Sequence, residues 1–304
     1  MSDIKKYQGV FPAFYACYED DGSVSPARTR ALAKYLLDKG VKGLYVGGSS
    51  GECIYQGVEE RKTILENVMA EVGGKMTIIA HVACNNTEES CQLAAHAEKL
   101  GVDAIASIPP IYFHLPPYGI AQYWNDISAA APNTDFIIYN IPQLAGVALS
   151  IPLLQEMKKN PRVIGVKNSS MPTQDIQMWK DEGGPDFVVM NGPDEQFISG
   201  LAMGATGGIG GTYAVMPELY LKVMDLYRSG EMKLAAEVQN EICRIIYKMC
   251  SAHGNLYAVM KAILKKHGMD IGSVRKPLSA LVDSDLAVVD EASAMIDAAI
   301  VKYC

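Results

Sequence analysis

Little in this sequence points to a membrane, a nucleic acid or a metal. No apolar run approaches the roughly 20 residues that span a bilayer. Residues 1–8 are polar and lack the apolar stretch of a signal peptide. No long basic run occurs, and 27 Lys and Arg against 34 Asp and Glu leave a net charge of −7. Such a chain repels phosphate backbones and anionic lipid, so neither nucleic acid nor membrane is expected as a partner. The seven cysteines (Cys17, Cys53, Cys84, Cys91, Cys243, Cys250 and Cys304) are odd in number and form no Cys-x-x-Cys. That usage suits free thiols in a reducing, cytoplasmic setting. The five histidines show neither His-x-x-x-His nor Glu-x-x-His spacing, and no metal site is expected. Tandem repeats and low-complexity segments are also missing.

What is present is ordinary globular material. Of 304 residues, 49% are hydrophobic and 20% charged, enough apolar surface to offset chain entropy. The length suits one α/β barrel with an extension as well as it suits two domains. Short apolar runs alternate with amphipathic helical patterns. Strands are expected at 10–15, 41–46, 76–83, 102–108, 135–139, 162–167, 187–190 and 206–210. Ser25-Pro26 opens the first helix as cap and first-turn proline. Asn86 caps another, with Glu89 placed for a reciprocal capping bond. Parallel strands need long crossovers, and eight such units closing on themselves make a (β/α)8 TIM barrel. The competing arrangement, a doubly wound open sheet, calls for Gly-x-Gly-x-x-Gly in the first strand-to-helix loop, and that loop has none. Beyond Pro217 the pattern is almost all helical. The expected organisation is therefore a barrel over 1–216 and a C-terminal helical extension over 217–304, packed on it.

In such barrels the chemistry sits at the C-terminal ends of the strands. Lys167 ends the sixth, after Val163-Ile164-Gly165-Val166. A cation at a barrel mouth is costly unless it is paired or functional, and a desolvated lysine gives up its proton more easily. A neutral amine can condense with a ketone to an imine, an electron sink for making or breaking a carbon–carbon bond. The plainer reading pairs Lys167 with a carboxylate such as Glu52. Tyr139 ends the neighbouring fifth strand, as a proton donor and acceptor or as an ordinary rim aromatic. Gly47-Gly48-Ser49-Ser50-Gly51 offers bare N–H groups and two hydroxyls to a small carboxylate, or is simply a glycine turn. Asp194 and Glu195 start a helix, either complementing its dipole or accepting bonds from substrate hydroxyls. Cys53, His81 and Cys84 lie near strand ends and are expected to pack. Tyr112, with Phe113, lies in the long loop after the fourth strand, as a lid, an oligomer contact or packing.

Together these residues resemble the dihydrodipicolinate synthase and N-acetylneuraminate lyase family. The likeness spans nearly the whole chain. It rests on Gly-Ser-Ser-Gly-Glu at 48–52, Tyr-Asn-Ile-Pro at 139–142, Gly-Val-Lys at 165–167, Gly-x-Asp-Glu at 192–195 and Gly-Gly-Ile-Gly at 207–210. It implies a class I aldolase on a barrel with a helical extension. Lys167 would be the Schiff-base lysine and Tyr139 the proton donor and acceptor, in a relay with Ser49. Ser49 and Ser50 would hold the carboxylate of the 2-oxo acid. Tyr112 would enter a neighbouring subunit's site, implying a homotetramer. No external cofactor is expected, because the lysine itself supplies the electron sink.

Leu144 stands where the synthase branch carries an arginine for its dicarboxylate partner. With Gly47-Gly48, this places the chain nearer the sialic acid lyase branch. There Ser169, Gly192, Asp194, Glu195 and the position of Gly211 would contact the hydroxylated tail. Gly211 replaces a hydroxyl residue, which costs roughly 0.5–1.5 kcal/mol if a hydrogen bond is lost. The implied reaction is reversible cleavage of sialic acid to pyruvate and N-acetylmannosamine. Another 2-oxo-3-deoxy sugar acid aldolase or dehydratase, the synthase itself, and a non-catalytic sugar-acid-binding barrel are the alternatives.

Overall fold

The computed structural model describes residues 3–304, so Met1 and Ser2, at the head of the polar start, lie outside the described residues. Eight parallel strands form a single sheet: β1 (Val10–Pro12), β2 (Gly43–Val46), β3 (Thr77–His81), β4 (Ala104–Ser107), β5 (Asp135–Asn140), β6 (Val163–Asn168), β7 (Val188–Asn191) and β8 (Gly207–Gly210). Neighbours in sequence are neighbours in space, and β1 pairs with β8. The seam between β1 and β2 is drawn together by the Ala13–Tyr45 bridge, where Phe14 N–H donates to Tyr45 O at 2.9 Å. The result is a (β/α)8 barrel, as the alternation requires.

Helices alternate with the strands: α1 (Pro26–Asp38), α2 (Val58–Val72), α3 (Thr87–Leu100), α4 (Pro117–Ala130), the single turn α5 (Pro142–Ala145), α6 (Ile151–Met157), α7 (Gln174–Gly183) and α8 (Phe197–Ala202). Local chemistry sets their ends. Ser25 Oγ accepts from Arg28 N–H, and Asn86 Oδ1 accepts from Glu89 N–H at 3.0 Å. The reciprocal carboxylate bond occurs elsewhere, from Gly57 N–H to Glu60 Oε2 at the start of α2. Beyond the strands come α9 (Pro217–Arg228), which packs on β1, and then α10 (Met232–Met249), α11 (Leu256–Lys266) and α12 (Asp285–Tyr303). Among the described residues no helix is long and apolar enough to cross a membrane.

Burial divides into two layers. Phe11, Tyr45, Ile79, Ile137, Val188 and Ile209 fill the barrel, while Val46, Ile78, Ile138, Val166 and Val189 face the helices. Tyr7 seals the N-terminal end, donating to Asp103 O at 2.7 Å and Asp135 Oδ2 at 2.8 Å. The other end stays open, and one irregularity near the starts of β5 and β6 sets which side chains point into it. The β5–β6 register pairs Phe136 with Val163 but Ile137 with Gly165, so Ile164 is an extra residue. From there on, Tyr139 pairs with Lys167 and Asn140 with Asn168. Tyr139 and Lys167 therefore share the interior face.

Candidate active site

A cavity of about 340 Å³ opens at the C-terminal ends of the strands. Its wall brings together Ser49 and Ser50 after β2, Tyr139 in β5, Lys167 in β6 and Ser169 just beyond it. Gly192, Asp194 and Glu195 follow β7, and Gly211 follows β8. These residues come from five strand ends and span more than half of the sequence. Tyr112 is not among them. It lies 86% exposed on its loop, with φ +80° and its ring edge-on to Phe113 at 5.0 Å between centres.

Lys167 is only 4% exposed. Its ammonium nitrogen lies 3.8 Å from the centre of the Tyr139 ring and 4.1 Å from that of Tyr45. Glu52 does not pair with it: Glu52 Oε1 accepts from Lys261 Nζ at 2.7 Å instead. The plainer reading of Lys167 as one half of an ion pair with Glu52 is thereby overturned. Burial pulls its pKa down to about 7, and the charge of Asp194 opposes only part of that fall. A sizeable fraction of the amine is thus neutral at neutral pH.

The Tyr139 phenol is buried, which raises its pKa to about 12, while Ser49 and Ser169 favour the ionised form. Tyr45 and His81 enclose it edge-on, at ring separations of 5.7 and 5.9 Å. His81 is kept neutral by burial and by the nearby Arg61 charge, and its Nδ1 donates to Gly47 O at 2.9 Å. Arg61 in turn binds the carbonyls of His81 at 2.6 Å and Ala83 at 2.7 Å, tying down the end of β3. His81 and Cys84 accordingly have structural surroundings, as their packing role required. The glycines of the β2 loop are also steric: Gly47 adopts φ +75°, and a Cβ at Gly48 would fall 2.7 Å from the Tyr45 ring.

Asp194 is 8% exposed, and burial raises its pKa to about 6. Its Oδ2 accepts from both the N–H and the hydroxyl of Thr212, each at 2.6 Å. The carboxylate therefore fixes the β8 loop as well as facing the cavity. A Cβ at Gly211 would stand 3.2 Å from Ser50 Oγ, so a side chain there would press on the serine turn.

Three residues escaped the sequence reading. Tyr45 shares the interior face with Tyr139, a position that the two-residue period of β2 could have marked. Thr212 acts as the anchor for Asp194. Tyr257, on α11, lines the cavity from the extension, where its hydroxyl and that of Ser50 interact. No local pattern announces a contact between residues 50 and 257.

An amine kept partly neutral beside a phenol can attack a carbonyl carbon and pass protons locally. Fold and cavity together describe an enzyme of the (β/α)8 class. The chain belongs to the dihydrodipicolinate synthetase family, whose model matches residues 6–295. It is 65% identical over 297 residues to an N-acetylneuraminate lyase of Mediterraneibacter gnavus, covering 97% of this chain and 94% of that one. An N-acetylneuraminate lyase of Escherichia coli is 35% identical over 276 residues, 89% of this chain and 90% of that protein. A solved structure of a catalytic lysine mutant of the Ruminococcus gnavus sialic acid aldolase superposes with a TM-score of 0.99 at 63% identity, covering all of both chains.

The pKa values set a pH profile. With Lys167 as the expected nucleophile, only its neutral amine can attack, so kcat/KM should fall about tenfold per pH unit as pH drops below about 7. The Tyr139 phenol, at about 12, should produce no alkaline fall before pH 10. An activity maximum below pH 6 in initial-rate measurements would contradict this assignment.

Proposed function

We propose that the chain is an N-acetylneuraminate lyase, a carbon–carbon lyase that works as a class I aldolase. The observation carrying this reading is the buried Lys167 amine, set over the Tyr139 ring with Glu52 engaged elsewhere. The Ser49–Ser50 turn receives the carboxylate of open-chain sialic acid. Neutral Lys167 Nζ attacks the C2 ketone carbon. Tyr139 gives its proton to the departing hydroxyl, water leaves, and an iminium remains beside the phenolate. That cation stabilises the phenolate, which then takes the proton of the C4 hydroxyl. The C3–C4 bond breaks, its electron pair moves into the iminium to form an enamine, and N-acetylmannosamine departs as the aldehyde. Tyr139 protonates C3 of the enamine. Water then adds to the iminium carbon with the phenolate as base, and pyruvate and the free amine are released.

Asp194, Glu195, Ser169 and the Gly192 backbone face the part of the cavity that the hydroxylated tail would fill. Leu144 lines the rim, 62% exposed, and Lys167 is the only cation on the cavity wall among the described residues. A second carboxylate finds no clamp there, which disfavours the synthase reaction. We also place Tyr112 at a neighbouring subunit's cavity in a homotetramer, a reading supported by its exposure and its positive φ. Seven free thiols support a cytoplasmic setting.

Pyruvate release measured across sialic acid and shorter 2-oxo-3-deoxy sugar acids tests the assignment. The expected result is the highest kcat/KM on sialic acid. Faster turnover of a short acid by a wide margin would transfer the assignment to another aldolase of the family.

A further inference from the structure

The serine turn is held by a residue in an unfavourable conformation. Glu52 closes the 3₁₀ turn Ser49–Gly51, its N–H donating to Ser49 O at 2.9 Å. It does so at φ +54°, ψ +30°, a left-handed geometry that side chains bearing a Cβ avoid. Its carboxylate is fully buried, and both oxygens are engaged from the C-terminal extension. Oε1 accepts from Lys261 Nζ at 2.7 Å, and Oε2 accepts from the backbone N–H of Arg275 at 2.8 Å.

The partners are fixed in turn. Lys261, 1% exposed, also donates to Ser273 O at 2.8 Å and stands over the Tyr18 ring. Arg275 forms a two-pronged bridge to Glu60 in α2 and reaches Tyr55 O at 3.0 Å. Lys261 sits one helical turn beyond Tyr257 on α11, and Tyr257 lines the cavity with its hydroxyl against that of Ser50. A buried ion pair is a poor source of net stability, because desolvating both charges offsets most of their attraction. Its geometric consequence is specific: it joins the two walls of the cavity that carry Ser49, Ser50 and Tyr257.

We propose that Glu52 and Lys261 are positioning residues, a buried tie that holds the Ser49–Ser50 turn against the extension and thereby sets affinity for the carboxylate end of the substrate without touching it. The inference rests on the reading of Ser49 and Ser50 as the carboxylate site. It gives the helical extension a part in substrate binding, although Lys167 and Tyr139 both belong to the barrel.

The test compares Glu52→Asp, the double variant Glu52→Gln with Lys261→Met, and Ser50→Ala. Three quantities are read: thermal midpoint, kcat for cleavage, and the pyruvate concentration that half-saturates borohydride trapping on Lys167. The double variant removes both buried charges together and so avoids stranding either one. Glu52→Asp keeps the charge and shortens its reach. Both should raise the half-saturating pyruvate concentration about tenfold or more, with kcat within about threefold of wild type, as expected when a binding turn shifts but the nucleophile does not. Unchanged half-saturation in either folded variant, a parallel decline of kcat and thermal midpoint, or failure of both to fold overturns the proposal. Should Ser50→Ala weaken pyruvate binding while the tie variants do not, the tie alone is refuted. Should Ser50→Ala bind pyruvate as wild type does, the carboxylate reading itself falls.

Discussion

Lys167→Ala should lower kcat for sialic acid cleavage by on the order of 10⁴-fold or more, the scale seen when a covalent nucleophile is deleted. The enamine has no alternative source, because no other cation lines the cavity among the described residues. Binding should survive, since the serine turn and the Asp194 loop are held by their own contacts with Glu52 and Thr212. The fold should survive as well. A buried amine without a carboxylate partner is a cost to the native state, and its depressed pKa reports that cost. Borohydride treatment with pyruvate should add a pyruvyl mass to the wild-type protein at Lys167 and none to the variant. An adduct of equal yield in the variant would move the nucleophile elsewhere and dismantle the mechanism.

Tyr139→Phe should separate imine formation from bond cleavage. The ring that faces Lys167 remains, so packing against Tyr45 and His81 is kept. What goes is the proton carrier, and general acid–base groups contribute about 10²–10⁴-fold. We expect kcat to fall within that range, with KM changed much less. Slow trapping of pyruvate at Lys167 should persist, because water can still protonate the leaving hydroxyl. If kcat stays within about twofold of wild type, proton transfer runs through another group, of which the Ser49 and Ser169 hydroxyls are nearest by interaction.

Much of this was readable before any coordinates. The barrel followed from eight alternations of apolar run and helical pattern, and element ends were marked by local chemistry such as Ser25-Pro26 and Asn86. Candidate site residues were narrowed to the strand-end motifs because a parallel barrel places every strand's C-terminal end in one ring, and the family resemblance then singled them out. Nine of the proposed residues line a single cavity. The tenth, Tyr112, lies outside that cavity on an exposed loop. The residues that were missed belong to contacts made across long stretches of sequence. Tyr257 meets the serine turn from the extension, and Thr212 matters only because Asp194 reaches it.

The amino-acid order by itself determined the class of fold and the end of the barrel at which the candidate side chains gather, because periodicity, capping and strand polarity are local properties. The tertiary structure decided which of those side chains are free to react. The extra residue Ile164 slips the β6 register and turns Lys167 inward beside Tyr139. Glu52, within reach of the barrel mouth by sequence, is taken by Lys261 from more than 200 residues away. Both outcomes depend on pairing between distant segments in a low-dielectric interior, where one displaced charge changes the protonation of another.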